Sequence, residues 1–267
     1  PDAILIAGDI YDTPVPSAEA VSVFDAFLTA LNNLTPAVTI CVIAGNHDSA
    51  KRIDFASGIL AKHRVVIAGM PPTVPEEKLK KVCISDSYGE VCIYLLPFVK
   101  PSFVRNLTEE EIQTYDDAVR LVIERESIDT EKRNIIISHQ FYTAEGKEPE
   151  TSDSEIRMVG GIENVDVSVL EPFDYAALGH IHRKQKIGHE KNCYCGTPLQ
   201  YSVSEAGDEK TVTMVELLEK GSRPCITELP LEPLRRVRKL SGHLEEILEA
   251  ASEENCHDYV SITLTDE

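Results

Sequence analysis

Several short apolar segments of this chain end abruptly in side chains that can bind a metal ion. Their length and composition are typical of β-strands buried on both faces, and they span 3–8, 37–43, 134–138 and 174–178. The polar residues that follow them are Asp9, Asp12, Asn46, His47, Asp48, His139, His180 and His182. Because the carboxyl ends of parallel strands share one edge of a sheet, we expect these side chains to meet there.

The order of the predicted elements indicates an α/β fold. Strands and helices alternate in the first quarter of the chain, at 3–8, 16–34, 37–43, 50–62 and 64–69. Ser17 is the predicted N-cap of the first helix. This alternation is typical of a mainly parallel sheet with right-handed crossovers.

The rest of the chain is predicted to add strands, one long helix and a small terminal unit. We expect two strands within 81–98 around a turn at 86–89, a helix over 108–127, an irregular loop over 141–154 and further strands over 184–229. Thr108 and Glu111 have the spacing of a capping box. The change of pattern after a Pro-containing linker predicts two domains, 1–231 and 232–267, the second with a β-α-β order.

Composition and charge limit the classes of function. The net charge of −19 argues against a protein that coats nucleic acid, so nucleic-acid chemistry would need local basic patches or bound metal. The seven cysteines have no CxxC spacing, which predicts reduced thiols and a cytoplasmic protein. We find no signal peptide and no apolar run of membrane-spanning length.

The strand-end residues combine oxygen and imidazole ligands. This mixture suits Mn²⁺, Fe²⁺ or Zn²⁺, and the set is large enough for two ions that share one carboxylate, as in phosphate ester hydrolysis. Asn46 would supply a neutral oxygen, and His47 would stand beside the ions to meet the phosphate or the leaving group. His180 and His182 would share a face if both lay on a strand. Taken alone, His139 also fits a buried core histidine, and Asp48 fits the cap of the next helix.

The motifs resemble those of the calcineurin-like metallophosphoesterases. "GDIYD", "GNHD", a histidine at a strand end and "GHIH" occur in that order. The longer stretches "AGNHDSAKRI", "EPFDYAALGHIHRKQKIG" and "YCGTPLQYSVSEAGDEK" resemble the SbcD family of bacterial nuclease subunits. The resemblance implies a sandwich of mixed β-sheets flanked by helices, followed by a small β-α-β capping domain.

The same resemblance implies roles for single residues. Asp9 would bridge two divalent ions, with Mn²⁺ favoured. Asn46, His139 and His180 would complete one ion site, His182 would bind the other ion, and His47 would be catalytic. The family's Asp-x-His motif does not occur upstream of these residues, so we expect this chain to be a fragment whose first ion site keeps only Asp9 and His182.

The implied activity is exonuclease and endonuclease cleavage of DNA in recombination, replication and repair. The implied partners are DNA and an SbcC-type ATPase, with a homodimer inside a heterotetramer. The basic residues nearest the motifs are Lys51, Arg52, Arg183 and Lys184, which either contact DNA or are plain surface charge. Two other functions fit the same sequence: a small-molecule phosphodiesterase or nucleotidase, and a non-catalytic scaffold for an ATPase.

Overall fold

Two stacked β-sheets with helices on both outer faces form the main body of the protein. The structure is a computed structural model that describes residues 1–155, 161–253 and 255–266. One hydrophobic cluster lies between the two sheets, and a further cluster lies on the outer face of each sheet. The predicted α/β sandwich of mixed sheets flanked by helices is therefore confirmed.

The first sheet has three parallel strands in the order β1-β2-β3. Their bounds are β1 Ala3–Ala7, β2 Thr39–Ile43 and β3 Val65–Ala68. Helix α1, Ala18–Asn32, connects β1 to β2, and the Ser17 side chain accepts a hydrogen bond from the Ala20 amide at 3.1 Å. The predicted strands, helix and N-cap are all present in this part of the chain.

The second sheet has six strands in the order β10-β11-β9-β6-β5-β4. The pairs that join β11, β9, β6 and β5 are parallel, and the two edge strands are antiparallel to their neighbours. The bounds are β4 Lys80–Asp86, β5 Gly89–Leu96, β6 Arg133–Ser138, β9 Tyr175–Leu178, β10 Gln185–Ile187 and β11 His189–Tyr194.

Strand β2 shows why the sequence forms this sandwich. Ile40 and Val42 pack into the cluster under the helices, whereas Cys41 and Ile43 pack into the cluster between the sheets. All four side chains are fully buried. A strand with apolar residues on both faces can bury them only between two layers, so the continuous apolar run requires a covered position in the fold.

Two predicted helices differ from the observed ones. The segment predicted as one helix over 50–62 contains α2, Ala50–Ile53, and α3, Ser57–Leu60, followed by a 3-10 turn at 61–63. Ala56 between α2 and α3 has a φ of +60°, in the left-handed region that a continuous helix does not contain.

The helix predicted over 108–127 begins seven residues later than expected. Helix α4, Pro101–Val104, and a 3-10 turn at 105–107 precede α5, Tyr115–Glu124. The capping box is formed by Thr114 and Asp117, and the predicted pair at 108 and 111 was wrong. Both pairs have the required spacing. The pair that forms the cap is the one followed by a helix whose apolar face, including Val119, packs into the core.

The remaining strands form small sheets beside the sandwich. Strand β7, Phe141–Thr143, pairs with β8, Asn164–Asp166, and β7 lies within the segment 141–154 that was predicted to be a loop. A hairpin of β12, Thr211–Glu216, and β13, Cys225–Pro230, follows the second sheet. Short 3-10 turns lie at 167–170 and 203–205.

The end of the chain has the predicted β-α-β order. Strands β14, Val237–Gly242, and β15, Tyr259–Leu264, are parallel, with helix α6, Leu244–Glu249, between them. Gln200 joins this unit to the rest: its side-chain oxygen accepts from the Val237 amide at 2.9 Å, and its NH₂ group donates to the Glu205 and Asp208 carbonyls at 3.1 Å each. The division into domains 1–231 and 232–267 stays a prediction.

The cysteines differ from expectation in one place. Cys83 on β4 and Cys92 on β5 are opposite each other in the antiparallel pair and form a disulfide, so the prediction of reduced thiols was wrong for this pair. The other five cysteines are free. Among the described helices, not one combines the length and the apolar content needed to cross a membrane.

Candidate metal centre

Four loops meet where the parallel strands of the two sheets end. Asp9 follows β1, Asn46 follows β2, His139 follows β6 directly, and His180 follows β9. The first two strands belong to the three-stranded sheet and the other two to the six-stranded sheet. Stacking of the sheets therefore brings side chains that are up to 171 positions apart (9 to 180) to one edge of the fold.

The donor atoms of these four residues converge on one point. His139 Nε2 lies 3.1 Å from Asp9 Oδ2 and 3.0 Å from Asn46 Oδ1. Asn46 Oδ1 also lies 3.1 Å from His180 Nδ1. The ligand atoms of Asp9, His139 and His180 all lie within 4.8 Å of one another.

This arrangement fits a divalent cation. His139 Nδ1 lies 2.6 Å from the Ala7 carbonyl oxygen, which can only accept, so Nδ1 carries the proton and Nε2 presents a lone pair in the neutral ring. That lone pair then faces the oxygens of Asp9 and Asn46. In the neutral ring these converging lone pairs repel one another unless a cation lies between them. Without a metal ion, a proton on His139 Nε2 can take that place, because the Asp9 carboxylate raises the pKa of His139. Oxygen and imidazole donors together suit Mn²⁺, Fe²⁺ or Zn²⁺.

Asp9 and His180 have the protonation states that metal ligands need, whereas His139 must give up a proton. Burial lowers the pKa of the His139 ring, but the Asp9 carboxylate outweighs burial and raises the pKa above the ordinary value. Burial opposes ionisation of Asp9, but the imidazole of His139 and the hydrogen bond from the His47 amide hold its pKa well below the ordinary value. Desolvation, together with the neighbouring His139, lowers the pKa of His180 to about 3. At neutral pH, Asp9 is therefore anionic and His180 is neutral, so neither must lose a proton to bind a cation.

Glycines allow the loops to approach so closely. A Cβ on Gly45 would lie 2.1 Å from Asp9 Oδ1, and a Cβ on Gly179 would lie 1.9 Å from the Ala7 carbonyl oxygen. Real Cβ atoms do not come this close to other atoms, so any side chain at these positions would push the loops apart. The glycines of "AGNHD" and "ALGHIH" are thus part of the site's geometry.

We expect Gly179→Ala to destabilise the fold by about 1–3 kcal/mol, the usual cost of overpacking, and to weaken Mn²⁺ binding. The Cβ must displace either the Ala7 carbonyl or His139, and His139 is a candidate ligand. Urea unfolding and calorimetric Mn²⁺ titration measure the two effects. Gly58→Ala in α3 is the matched control because its Cβ would meet open space. A Gly179→Ala protein with normal stability and Mn²⁺ affinity would contradict this account of the site.

His47 lies beside the four donor residues and is not one of them. Its backbone amide donates to Asp9 Oδ1 at 3.0 Å, and its ring Nδ1 lies 2.9 Å from the Asp12 carbonyl oxygen. Nδ1 therefore carries a proton, and Nε2 is the ring nitrogen left for other contacts. The ring is half-buried, so a bound substrate could reach it.

Asp48 and Asp12 support the loops. The Asp48 carboxylate accepts from the amides of Gly45, Ile10 and Tyr11 at 2.8–3.0 Å, and so it ties the loop after β1 to the loop after β2. Ser49 occupies the N-cap position of α2, so the prediction that Asp48 caps this helix was wrong. Asp12 contributes its backbone carbonyl to His47, and its side chain is exposed.

His182 is held apart from the four donor residues. Its Nδ1 lies 2.8 Å from Ser154 Oγ and 3.4 Å from Glu205 Oε1. The expectation that His180 and His182 share a strand face was wrong, because β9 ends at Leu178 and His180 has a φ of +86°. Sequence reasoning missed Ser154 and Glu205, since neither is near His182 in the chain. The stretch that contains Glu205 carries a family resemblance but no pattern that points to His182.

The four predicted basic contact residues fall into two pairs. The side chains of Lys51 and Arg52 are exposed, and within the described ranges no ion pair involves them. Arg183 is paired with Asp208 at 3.2 Å and Glu150 at 3.6 Å, and Lys184 is paired with Glu228. The first pair of cations is free to meet phosphate, whereas the second is already neutralised.

Comparison with known proteins identifies the class to which this fold and site belong. The profile of the calcineurin-like phosphoesterases matches residues 1–184, which contain every donor residue described above. The chain belongs to the calcineurin-like phosphoesterase family. Within it the chain is SbcD-like: it is 33% identical over 270 aligned positions to the SbcD subunit of the SbcCD nuclease of Staphylococcus epidermidis, covering 99% of this chain and 68% of that protein.

Proposed function

We propose that this protein is a Mn²⁺-dependent DNA nuclease that hydrolyses phosphodiester bonds. The observation that carries the proposal is the convergence of the donor atoms of Asp9, Asn46, His139 and His180 at the edge of a phosphoesterase fold. Similarity along nearly the whole chain to a protein named as a nuclease supports a nucleic-acid substrate, and DNA is the substrate that the SbcD resemblance implies. The proposed activity includes both exonuclease and endonuclease cleavage.

The proposal assigns ion binding and proton donation to different residues. Asp9, Asn46, His139 and His180 would hold one ion, and Asp9 and His182 would contribute to a second. When bound, such ions supply Lewis acidity toward the phosphate and the attacking water. His47 would meet the scissile phosphate through Nε2 and, in its imidazolium form, donate the Nε2 proton to the leaving oxygen, while its Nδ1–H stays bound to the Asp12 carbonyl.

A comparison of three substrates tests the proposal. We expect the Mn²⁺-loaded protein to cleave DNA oligonucleotides with a higher kcat/KM than bis(p-nitrophenyl) phosphate, and to leave nucleoside monophosphates intact. Tyr201 supports a nucleic-acid substrate, because its ring is 58% exposed and lies 5.8 Å from the His182 ring, where a base could stack on it. Preference for the chromogenic diester or the monophosphate would favour a small-molecule phosphodiesterase or nucleotidase. Inactivity on all three in a form that also carries the family's Asp-x-His motif would favour a scaffold.

We expect Lys51→Ala/Arg52→Ala to weaken DNA binding with little dependence on base sequence. These exposed cations follow "GNHD" directly and are free to contact phosphates. Loss of two phosphate contacts should lower the slope of log K against log salt by about 2, which fluorescence anisotropy at several salt concentrations measures. Arg223→Ala, an exposed arginine in the turn between β12 and β13, is the control. An unchanged salt slope would remove these residues from the DNA path.

We also propose that the protein acts with an SbcC-type ATPase in DNA recombination, replication and repair, as a homodimer within a heterotetramer. The relative's name describes it as one subunit of a complex. Exposed apolar side chains on α1 and the 50–63 segment support the pairing of two copies; they include Val23, Phe27, Phe55 and Ile59. The cytoplasmic location stays a prediction.

A further inference from the structure

A buried ion pair lies next to His182, outside the four donor residues. Glu205 is fully buried and Lys210 is 7% exposed, and their charged atoms, Oε2 and Nζ, lie 2.6 Å apart. Burial would raise the pKa of the Glu205 carboxyl, but Lys210 and the surrounding hydrogen bonds lower it below the ordinary value. The carboxylate is therefore ionised in a place from which water is excluded.

The hydroxyl group of Ser154 connects the second carboxylate oxygen of Glu205, Oε1, to the ring of His182. Ser154 Oγ lies 3.0 Å from Glu205 Oε1 and 2.8 Å from His182 Nδ1. A carboxylate can only accept, so the Ser154 hydroxyl donates to Glu205 and its oxygen accepts from His182. His182 Nδ1 must then carry the proton. Ser152 Oγ lies 2.8 Å from Ser154 Oγ and 3.4 Å from Glu205 Oε1, so it is a second donor near the carboxylate. The shorter contact of Ser154 with the anion, 3.0 Å, assigns the Ser154 proton to Glu205.

The same ion pair holds the backbone of His182. Lys210 Nζ donates to the His182 carbonyl at 3.1 Å and to Thr197 Oγ1 at 3.1 Å. The His182 amide donates to Glu155. The ring is thus held at Nδ1 and the backbone at both polar groups. Nε2 is the one polar atom of His182 without a hydrogen-bond partner among residues 1–155, 161–253 and 255–266.

Stability alone does not explain why this pair is buried. A buried ion pair is often replaced by apolar residues of similar size without loss of stability, because the cost of desolvating two charges offsets their attraction. Here each member of the pair also contacts His182: Lys210 binds its backbone carbonyl, and Glu205 reaches its ring through Ser154. Outer groups that bind the far nitrogen of a ligating histidine fix its tautomer and its orientation.

We infer that Glu205 and Lys210, acting through Ser154, are positioning residues that hold His182 as the Nδ1–H tautomer and keep its Nε2 lone pair available to an ion. This inference rests on the proposed function only where it treats His182 as a ligand. The tautomer itself is a property of the metal-free protein and can be measured without any activity.

The test is nuclear magnetic resonance of the metal-free protein labelled at histidine, recorded above the ordinary pKa of imidazole. The Cδ2 chemical shift distinguishes the two neutral tautomers, and His182→Gln assigns the signal. We expect the Nδ1–H tautomer in the unmodified protein, although free imidazole side chains favour Nε2–H. An Nε2–H signal from His182 in the unmodified protein would overturn the inference without any variant.

Two double variants separate positioning from packing. Glu205→Gln/Lys210→Met keeps an acceptor oxygen for Ser154, so we expect the Nδ1–H tautomer to remain. Glu205→Leu/Lys210→Met removes the acceptor, so Ser154 can donate to Nδ1 and we expect the Nε2–H tautomer. Asp174→Leu/Lys220→Met is the control, because it removes an ion pair at the opposite end of β9, and it should leave the tautomer of His182 unchanged. Retention of Nδ1–H in the folded Leu/Met variant would contradict the inference.

Calorimetric Mn²⁺ titration of the same proteins distinguishes this inference from the proposed function. If His182 is a ligand, the Leu/Met variant should lose about 10–100-fold in Mn²⁺ affinity at the site that His182→Gln also weakens. A change of tautomer while His182→Gln leaves Mn²⁺ binding intact would support the positioning role and count against the proposed ligand role of His182.

Discussion

Asp9→Asn is expected to abolish tight Mn²⁺ binding and, with it, phosphodiester hydrolysis. Asp9 is the one anion among the four converging donors, since Asn46 is an amide and His180 is neutral. An amide in its place leaves no negative charge to balance a divalent cation. We expect the Mn²⁺ affinity to fall by more than the roughly 100-fold that marks the upper range of changes outside the ligand shell.

Calorimetry and thermal unfolding measure this loss independently of activity. Free Mn²⁺ at 100 times its dissociation constant should stabilise the unmodified protein by about 2.7 kcal/mol, which corresponds to a rise in Tm of roughly 5–10 °C. Asp9→Asn should show no such rise. Asp12→Asn is the control, because the structure uses only the backbone carbonyl of Asp12 near the site. Loss of binding in Asp12→Asn with retention in Asp9→Asn would reverse the assignment.

His47→Ala should lower kcat by about 10²–10⁴-fold, the usual contribution of a general acid, while Mn²⁺ affinity stays unchanged. The difference between binding and turnover follows from the geometry. His47 Nδ1 is bound to the Asp12 carbonyl, and the His47 ring is not part of the cluster of ligand atoms formed by Asp9, His139 and His180. The backbone amide that donates to Asp9 is kept by alanine.

Steady-state kinetics with Mn²⁺ at saturation, together with calorimetry, test this prediction. His63→Ala, at an exposed histidine in the 3-10 turn after α3, is the control and should behave as the unmodified protein does. If His47→Ala loses Mn²⁺ together with its activity, then His47 is a ligand and its assigned role is wrong.

The buried strands and the four donor residues could be predicted because their signals are local, whereas the sandwich was implied by the family resemblance. Strand β2 is apolar on both faces, and Asn46 follows within three residues of its end, so the position of the strand determines the position of this candidate ligand. The rule that the carboxyl ends of parallel strands meet at one edge applies within each sheet, and so it accounts for Asp9 with Asn46 and for His139 with His180. The meeting of the two pairs follows from the stacking of the two sheets, which this rule does not predict.

Contacts between distant segments could not be predicted in this way. Ser154, Glu205 and Lys210 lie 28, 23 and 28 positions from His182, and no period in the sequence connects them. The backbone of His180 is a second case, because a positive φ in a residue other than glycine has no sequence pattern of its own.

The cysteine pair was available from the sequence but was not recognised. A turn at 86–89 between two antiparallel strands places residues opposite each other when their numbers sum to 175, and this pairs Cys83 with Cys92. The prediction of reduced thiols used general rules on cysteine spacing and cellular compartment, which take no account of strand register. Cysteines on the two strands of a predicted hairpin therefore need to be paired by register before they are assigned as free thiols.

The hydrogen bonds of Gln200 have a mechanical consequence. One amide side chain connects Val237 of β14 to the carbonyls of Glu205 and Asp208, over distances of 2.9–3.1 Å. A displacement of β14 by more than about 1 Å exceeds the range of a hydrogen bond, so it either breaks these bonds or moves the 205–208 loop. Any protein that binds the β14–β15 unit and displaces it therefore applies force to the loop that contains Glu205.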